Sequence, residues 1–266
     1  MKKSIAITFC TIILCSLLLL INVGTIKATE PGYTRLDWPT QVAPTIDGMW
    51  TSDDEWTDGE ETMIGDNVTF RSTWSMVSFE PLTVVTNFVI EILDDDTNDT
   101  GDYWQMCVDS DVDGGTAPKS NDFKIEVVGH GDVVVYEGDG SGWVEVTPSG
   151  GAITFAESIS ESPTSSTPHW IAEFTFVKIG LDPNIPNMGE YWAFRLAVFD
   201  ESNSGAGVQA WPPTDPDVPD GYGYQNYSSE PIPEGLSFGV LVLLSSVAVI
   251  VTTLVFRKRS RIDKTS

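Results

Sequence analysis

Apolar and polar side chains alternate along much of the chain, with the period of two that a strand with one buried face requires. The clearest cases are Asp122 to Val128 (DFKIEVV), His169 to Lys178 (HWIAEFTFVK) and Tyr191 to Asp200 (YWAFRLAVFD). In the last two segments a bulky apolar residue stands at every second position and lines one face of the predicted strand. No segment between the two ends of the chain shows a helical period. The pattern predicts an all-β fold.

Other segments complete this picture. Val84 to Leu93 is a long apolar run that predicts a strand, and Val133 to Tyr136 and Trp143 to Val146 flank the glycine-rich turn EGDGSG, which indicates a hairpin. Ser158 to Pro168, rich in Ser, Thr and Pro, and Pro212 to Tyr227, rich in Pro and Tyr, are predicted loops. Many short strands joined by Gly, Pro and Asp turns are typical of a β-sandwich or a barrel.

The two ends of the chain are apolar without alternation. At the start, Met1-Lys2-Lys3 is basic, Ile5 to Val23 is almost wholly apolar, and small and polar residues follow as far as Glu30. This order is typical of a secretory signal peptide. We predict a signal peptide over residues 1–29 that is cleaved near Ala28, and the alternative is that the segment stays as an uncleaved anchor.

Leu236 to Phe256 forms the second apolar run, which carries no charge and has the length of a membrane-spanning helix. Arg257-Lys258-Arg259-Ser260-Arg261 follows directly, and basic residues stay on the cytoplasmic side of a membrane. We predict one transmembrane helix over 236–256 and a cytoplasmic tail over 257–266. The region before the helix then lies outside, which makes this a single-pass membrane protein of the cell surface.

The C-terminal region has a second interpretation. Pro233-Glu234-Gly235, the apolar run and the Arg-rich end resemble the tripartite sorting tails of surface proteins that exosortase or archaeosortase enzymes process. Those tails usually open with Pro-Glu-Pro or Pro-Glu-Phe, whereas Gly235 stands at the third place here. The resemblance implies that the helix is removed and the mature chain is anchored in another way. A permanent membrane anchor is the alternative that the departure at Gly235 favours.

For the exterior region we predict one β domain over 30–211 and a loop and stalk over 212–235. The charge of this region limits the kinds of molecule that it can bind. The whole chain has a formal charge of −25, and between Glu30 and Glu230 six Lys or Arg stand against 37 Asp or Glu. Such a surface repels nucleic acid and anionic lipid, and it attracts divalent cations. Solubility in a salty exterior is the alternative explanation.

Cysteines and glycosylation sequons add two details. Cys10 and Cys15 lie in the predicted signal segment, so Cys107 is the one cysteine of the exterior region and no disulfide within that region is expected. We expect Cys107 to be a buried apolar residue of a strand. The Asn-x-Ser/Thr sequons predict N-glycosylation at Asn67, Asn98 and Asn226.

The stretch Asp109 to Gly115 (DSDVDGG) has the spacing of a calcium loop. Asp109, Asp111 and Asp113 occupy the first, third and fifth places, and Gly114 occupies the sixth, where a sharp turn is needed. The flanking segments are predicted strands rather than helices, so this is not an EF-hand. Asp122 is near enough in sequence to supply a further oxygen. We predict a Ca²⁺ site here, and a solvated Asp-rich turn is the alternative.

A second acidic run precedes the same predicted strand. It consists of Asp94, Asp95, Asp96, Asn98, Asp99 and Asp102. Like charges this close repel one another unless a cation or solvent separates them. Asp94, Asp95 and Asp96 are therefore candidate ligands of a further Ca²⁺, again with a solvated turn as the alternative.

Several short motifs occur in the order and spacing of one known group of domains. They are APTIDG (43–48), DDEW (53–56), FVIEILDD (88–95), YWQMCVD (103–109), WIAE (170–173) and FRLAVFDESN (194–203). Together they resemble family 9 carbohydrate-binding modules and the wider DOMON-like sandwich group, and they cover most of the chain from Ala43 to Trp211. The resemblance implies an antiparallel β-sandwich that binds a ligand and catalyses no reaction.

In the sugar-binding members of that group, two Trp side chains clamp a terminal sugar. The matching positions in this chain fall near Asn98 or Asp99 and near Asp217 or Val218, and none of these is Trp. The candidate stacking rings are instead Trp104, Trp211, Tyr222 and Tyr224. The alternative is that these rings pack against the end of the sandwich. Three other Trp residues stand in predicted strands and are expected in the core, namely Trp143, Trp170 and Trp192.

Chemistry other than binding has little support in the sequence. His130 and His169, with several Met, are the residues that a haem-binding DOMON-type redox domain would use, and structural or solvent-facing His is the alternative. The sequence has no CxxCH, Ser-His-Asp order, phosphate loop or zinc-ligand spacing. We therefore predict a protein that is not an enzyme.

Three hypotheses remain open at this stage. The first is a calcium-stabilised module of the cell surface that binds a glycan or a cell-envelope polymer. The second is a structural or adhesive envelope protein, in which calcium bridges parts of the assembly and no small ligand binds. The third is an enzyme or a redox domain.

Overall fold

The structure is a computed structural model that describes residues 32–79, 82–148, 152–177 and 191–227. The predicted signal peptide over 1–29, the membrane helix over 236–256 and the basic tail over 257–266 all lie outside these residues. Among the residues described, no helix is long and apolar enough to cross a membrane.

Almost all regular structure in these residues is β, which confirms the all-β prediction. One short helix, α1, spans Asp53–Trp56, and two single-turn 3-10 helices span Ser204–Ala206 and Pro219–Gly221. The strands are β1 Thr34–Pro39, β2 Thr62–Ile64, β3 Val68–Phe79, β4 Leu82–Ile92, β5 Tyr103–Asp109, β6 Asp122–Val128, β7 Val134–Gly138, β8 Trp143–Val146, β9 Ile153–Ser162, β10 Ser165–Val177, β11 Tyr191–Phe199, β12 Gln209–Trp211 and β13 Gly223–Tyr227.

The strands form one continuous path of hydrogen-bonded neighbours, β8-β7-β6-β5-β11-β13-β1-β3-β4-β10-β9, with β12 beside β11 and β2 beside β3. The pairs are antiparallel except at β1, which runs parallel to both of its neighbours. Thr34 to Asp37 pair with β13, and Trp38 and Pro39 pair with β3. Strand β1 therefore joins two antiparallel halves into one curled sheet.

The two halves of the sheet enclose a common aromatic core. Trp104 of β5 stacks on Phe174 of β10 with ring centroids 4.5 Å apart, and Phe88 of β4 meets Trp192 of β11 edge-on at 6.2 Å. All four side chains are fully buried. Burying an aromatic side chain of this size contributes roughly 1.5–3 kcal/mol. These contacts across the interior make the curled sheet a sandwich, as predicted.

The predicted loop over Ser158 to Pro168 is wrong. Strand β9 runs to Ser162 and β10 starts at Ser165, and the two strands form a hairpin with a register shift between Ser165 and His169. Strand β9 stands at the end of the sheet path and most of its side chains are only half buried. Ser and Thr are therefore tolerated there without apolar alternation.

The predicted loop over Pro212 to Tyr227 is also wrong in its last part. Strand β13 lies inside the sheet path between β11 and β1. Its sequence GYQNY does not alternate, because Gln225 is buried beside Tyr224 and donates from Nε2 to Ser72 Oγ over 3.2 Å. The domain thus continues beyond 211, at least to Tyr227.

Candidate functional site

The DSDVDGG loop begins where two strands bring two carboxylates together. Asp109 is the last residue of β5 and stands directly opposite Asp122, the first residue of β6, in the antiparallel pairing. Both side chains are fully buried. Because the strand register fixes their positions, the two carboxylates face each other at the base of the loop that connects β5 to β6.

The loop folds back over Asp109. The backbone N–H of Gly114 donates to Asp109 Oδ2 over 2.9 Å, and that of Asp113 donates to Oδ1 over 3.3 Å. Gly114 has a φ of +61°, which a residue with a Cβ rarely adopts. The turn brings an oxygen each of Asp109, Asp111 and Asp113 within 4.8 Å of one another, with Asp111 and Asp113 exposed to solvent.

Asp122 has one oxygen in use and one without a partner. Its Oδ2 accepts the backbone N–H of Lys119 over 2.7 Å. Its Oδ1 is buried and has no hydrogen-bond partner within the part of the chain that the structure describes. A buried polar atom of this kind costs free energy unless something pairs with it. The carboxylate is therefore oriented to accept a further donor or a cation.

The local charges favour a cation at this place. Burial, followed by the nearby charges of Asp111 and Asp113, raises the pKa of Asp109 to about 6 against the opposing effect of the Gly114 N–H. Burial also raises the pKa of Asp122 to about 7, and Asp109 and Asp113 add to the rise. One positive side chain is near, since Lys119 Nζ lies 2.7 Å from Asp113 Oδ1 at the surface.

The donor set fits Ca²⁺. All four side chains offer hard carboxylate oxygens, two on rigid strand ends and two on an exposed turn, and Ca²⁺ accepts irregular sets of oxygens. Zn²⁺ prefers nitrogen or sulfur ligands, and this cluster supplies neither. Three of the four predicted residues, Asp109, Asp111 and Asp113, are thus brought together, and the strand register places Asp122 opposite Asp109.

The three residues of the second acidic run separate in the structure. Asp94 and Asp96 are exposed, and Asp94 Oδ2 accepts the side-chain amides of Asn67 over 2.7 Å and of Asn203 over 2.8 Å. Asp95 is fully buried and lies with Asp102 and Asp200 instead. A shared site of Asp94, Asp95 and Asp96 is therefore a wrong prediction, because consecutive residues in an extended turn point in different directions.

The predicted stacking rings do not form a sugar platform. Trp104 and Tyr222 are fully buried, Tyr224 is 3% exposed and Trp211 is 8% exposed. Trp211 packs against Phe194 with ring centroids 4.9 Å apart. A ring whose faces are covered by the core cannot stack on a sugar, so these four residues are a correction to the sequence interpretation, and the alternative of packing rings is confirmed.

Of the three Trp residues expected in the core, two are buried there and one is not. Trp170 and Trp192 are fully buried, as is Cys107, which confirms those predictions. Trp143 is only half buried, and its Nε1 donates to Asp217 Oδ1 over 2.9 Å. Trp143 stands in the terminal strand β8 and covers Cys107 and Tyr222 from outside.

The described residues form a groove of about 430 Å³ beside β1 and β13. Its lining consists of Thr34, Arg35, Leu36, Glu60, Tyr191, Tyr224 and Asn226. Tyr191 is 40% exposed and meets Tyr224 edge-on at 6.2 Å. The groove thus combines an accessible aromatic ring with an amide and two charged groups.

Arg35 anchors the inner wall of the groove. Its guanidinium lies 4.3 Å above the ring of Phe70, and its Nη2 donates to the carbonyl of Glu60 over 2.6 Å. Burial lowers the pKa of Arg35 to about 10, although Asp37 and Glu60 oppose the change. Nε and Nη1 are buried without acceptors among the residues in view. Since Arg35 is only 4% exposed, these two N–H groups lie beneath the groove and not at its surface.

Both histidines have structural roles, in agreement with the alternative to haem ligation. His130 lies between Asp102 Oδ2 at 3.0 Å and Glu157 Oε1 at 3.1 Å. His169 lies between the carbonyl of Thr167 at 2.8 Å and Glu91 Oε1 at 3.1 Å. Since both nitrogens of each ring are engaged, neither histidine presents a nitrogen to an iron.

The three sequons differ in accessibility. Asn98 is exposed in the connection between β4 and β5. Asn67 is half buried and its amide is bonded to Asp94. Asn226 lies within β13 and lines the groove. Glycosylation therefore remains a prediction at all three positions, and Asn98 is the most accessible acceptor.

Comparison with known proteins gives distant similarities in structure. No model of a known protein family matches the chain, and no curated protein matches it. Among solved structures, the chain is similar to a family 9 carbohydrate-binding module from Caldicellulosiruptor kristjanssonii in complex with glucose, with 14% identity and a TM-score of 0.47 over 75% of this chain and 100% of that chain. A complex of such a module from the same organism with cellotriose has 13% identity and a TM-score of 0.46, over 74% of this chain and 96% of that chain.

Proposed function

We propose that this protein is a calcium-stabilised, non-catalytic binding module of the cell surface, with carbohydrate or a cell-envelope polymer as its ligand. The observation that carries the proposal is the carboxylate cluster at the end of β5. One oxygen from each of Asp109, Asp111 and Asp113 lies within 4.8 Å of the others, and Asp122, opposite Asp109 in the strand register, has a buried Oδ1 without a partner among the described residues. A bound Ca²⁺ would offset the repulsion between these groups and tie the β5–β6 loop to the sheet.

Carbohydrate as the ligand class is supported by the order of the sequence motifs and by the groove at Arg35 and Tyr191. A sugar presents C–H faces that stack on an aromatic ring and hydroxyls that pair with charged and amide groups. Tyr191 supplies an exposed ring, and the half-buried Asn226 and the exposed Glu60 line the groove beside it. We propose this groove as the ligand site, in place of the four buried rings.

The calcium part of the proposal is tested by thermal unfolding of the full-length chain in excess Ca²⁺ and in chelator. A ligand at about 100 times its Kd stabilises the folded state by about 2.7 kcal/mol, which shifts Tm by several degrees. The shift should be smaller in the double variant Asp111→Ala/Asp113→Ala than in the wild type, and it should be unchanged in the control Asp132→Ala, which removes an exposed carboxylate elsewhere. An equal shift in both variants would refute the site.

The carbohydrate part is tested by a glycan and cell-wall polymer array in the presence of Ca²⁺. Binding should fall at least tenfold in Tyr191→Ala and stay unchanged in Val144→Ala, which truncates an exposed apolar residue on the distant strand β8. A calcium shift without any glycan binding would favour the second hypothesis, a structural or adhesive envelope protein.

A further inference from the structure

Three buried carboxylates meet at the opposite end of β5. Asp102 directly precedes β5 and Asp200 directly follows β11. Since Tyr103 pairs with Phe199 in the antiparallel register, Asp102 and Asp200 are the next opposed positions. Asp95, from the connection between β4 and β5, completes the group. One oxygen from each of the three lies within 4.8 Å of the others, and none of the side chains is more than 3% exposed.

Among the described residues, two oxygens of this group have no hydrogen-bond partner. Asp95 Oδ1 accepts the backbone N–H of Thr97 over 3.0 Å, and Asp200 Oδ1 accepts that of Asn203 over 3.0 Å. The Oδ2 atoms of Asp95 and Asp200 are buried and, across the described ranges, lack any hydrogen-bond donor. Backbone bonds therefore hold the carboxylates of Asp95 and Asp200 in place by one oxygen each, and the other oxygen of each stays buried and unsatisfied among the described residues.

The carboxylate of Asp102 has hydrogen-bond partners on both of its oxygens, unlike those of Asp95 and Asp200. Its Oδ1 accepts the backbone N–H of Glu201 over 2.7 Å. Its Oδ2 accepts the N–H of Asp99 over 2.9 Å and lies 3.0 Å from His130 Nε2. A carboxylate has about four lone-pair sites, so Oδ1 of Asp102 keeps the capacity to bind a further group. His130 positions Asp102 and is not itself free to ligate.

The charge of the group is not balanced by protein side chains. No Lys or Arg in the described part of the chain forms an ion pair with Asp95, Asp102 or Asp200. His130 can supply at most one positive charge against three carboxylates. Burial, and then the charges of Asp102 and Asp200, raises the pKa of Asp95 to about 6. Buried charges without partners cost several kcal/mol each, which a bound cation would remove.

We propose that Asp95, Asp102 and Asp200 bind a second divalent cation, and that this cation is Ca²⁺. The ligands are all hard oxygens on an irregular set of two strand ends and a turn, which suits Ca²⁺ better than Mg²⁺, because Mg²⁺ demands near-octahedral geometry and retains waters. This site does not depend on the cluster at Asp109, since the seven residues of β5 separate the two by roughly 23 Å at about 3.3 Å per residue.

The second cation would join parts of the chain that are far apart in sequence. It would tie the 93–102 connection to the end of β11. The same connection is already bonded to Asn203, since Asp94 Oδ2 accepts its amide. The cation would therefore reinforce a link that hydrogen bonds already make.

The experiment is a count of bound cations on the full-length chain, stripped with chelator and titrated with CaCl₂ by calorimetry. The wild type should bind two Ca²⁺. The variant Asp200→Asn, which keeps the shape of the side chain, should bind only the ion at Asp109. The variant Asp111→Asn/Asp113→Asn should bind only the ion at Asp95, Asp102 and Asp200. Near-UV circular dichroism in each case reports whether the core is intact.

Luminescence of bound Tb³⁺ in H₂O and in D₂O identifies which ion is which. The ion at Asp95, Asp102 and Asp200 should have fewer coordinated waters, because its ligands are buried, and it should persist in Asp111→Asn/Asp113→Asn. This measurement stands even where Asp200→Asn does not fold. A wild type whose only bound ion is lost in Asp111→Asn/Asp113→Asn would overturn the second site and leave the first intact.

Discussion

The indole N–H of Trp56 donates to Glu173 Oε1 over 2.9 Å, and both residues are fully buried. The other carboxylate oxygen, Oε2, accepts the backbone N–H groups of Gly48 over 2.9 Å and Asp47 over 3.0 Å. The residues of the Ile-Asp-Gly and Glu-Trp motifs near the start of the domain are thus held by one carboxylate on β10. This explains why those short motifs and an inward-facing Glu occur together.

Removal of this carboxylate should destabilise the domain strongly. In Glu173→Ala three N–H donors lose their acceptor, and the two that are buried, Trp56 Nε1 and the N–H of Gly48, each cost about 1–3 kcal/mol when unsatisfied. We expect a loss of at least about 2 kcal/mol in the free energy of unfolding by urea. Glu161→Ala, which truncates an exposed Glu on the adjacent strand β9, should lose less than about 0.5 kcal/mol. Similar losses in both variants would contradict the role of Glu173.

We expect that any residue larger than glycine at position 48 destabilises the domain. Its φ is +83°, and an added Cβ would lie 2.6 Å from the backbone carbon of Glu157 on β9. Gly140 has a φ of +88° but open space around it, and Gly142 has open space without a positive φ. We expect Gly48→Ala to prevent folding or to cost several kcal/mol, Gly140→Ala to cost about 1 kcal/mol, and Gly142→Ala to change little. Thermal melts of the three variants followed by circular dichroism would show whether Tm falls most in Gly48→Ala, less in Gly140→Ala and least in Gly142→Ala.

Much of the core followed from alternation in the sequence. Every second residue of β10 and β11 is bulky, and the structure buries those residues, such as Phe174, Phe194 and Trp192. It also buries most of the residues between them, which alternation does not predict. Strand β13 could not be predicted in this way. Its buried Gln225 takes the place of an apolar residue, and the position of the strand depends on pairing with β1, 190 residues earlier in the chain.

The candidate site shows the same division. Asp109, Asp111 and Asp113 are close in sequence, so loop spacing alone predicts that they converge. Asp200 is missed by such reasoning, because it meets Asp102 only through the register of β11 against β5. An Asp at each of two strand ends is a weak signal until the pairing of the strands is known. The buried rings were misjudged because composition does not reveal which side of a Pro- and Gly-rich segment faces the core.

The buried pair of Glu91 and His169 should make stability depend on pH. Burial alone would raise the pKa of Glu91, but hydrogen bonds from His169, Ser162 and Thr164 lower it below 4.5. Burial alone would lower the pKa of His169, but its bond to Glu91 raises it above 6.5. The contribution of His169 is present below pH 6.5 and is lost as pH rises through its folded pKa. The contribution of Glu91 is present above pH 4.5 and is lost as pH falls through its folded pKa.

Both contributions are therefore present together between about pH 4.5 and 6.5. We expect His169→Gln to lower the free energy of unfolding more at about pH 5.5 than at about pH 8, relative to wild type at the same pH. Urea titrations in chelator at the two pH values measure this difference and remove the effect of bound cations. An equal loss at both pH values would mean that the imidazole is not charged in the folded state.

Lys119 should oppose calcium binding at the cluster of Asp109, Asp111 and Asp113. Its ammonium lies 2.7 Å from Asp113 Oδ1, so it holds an oxygen that Ca²⁺ would use and adds a positive charge beside the ion. Exposed pairs of this kind contribute no more than about 1 kcal/mol. We expect Lys119→Met to bind Ca²⁺ up to about fivefold more tightly, as measured by calorimetry. Lys119→Arg keeps the charge and should bind like the wild type. In chelator, Lys119→Met should be slightly less stable than the wild type and should have a lower Tm. The reason is that Asp113 has then lost its only counter-charge among the described side chains. Weaker calcium binding in Lys119→Met would show instead that Lys119 supports the loop in the geometry that the ion requires.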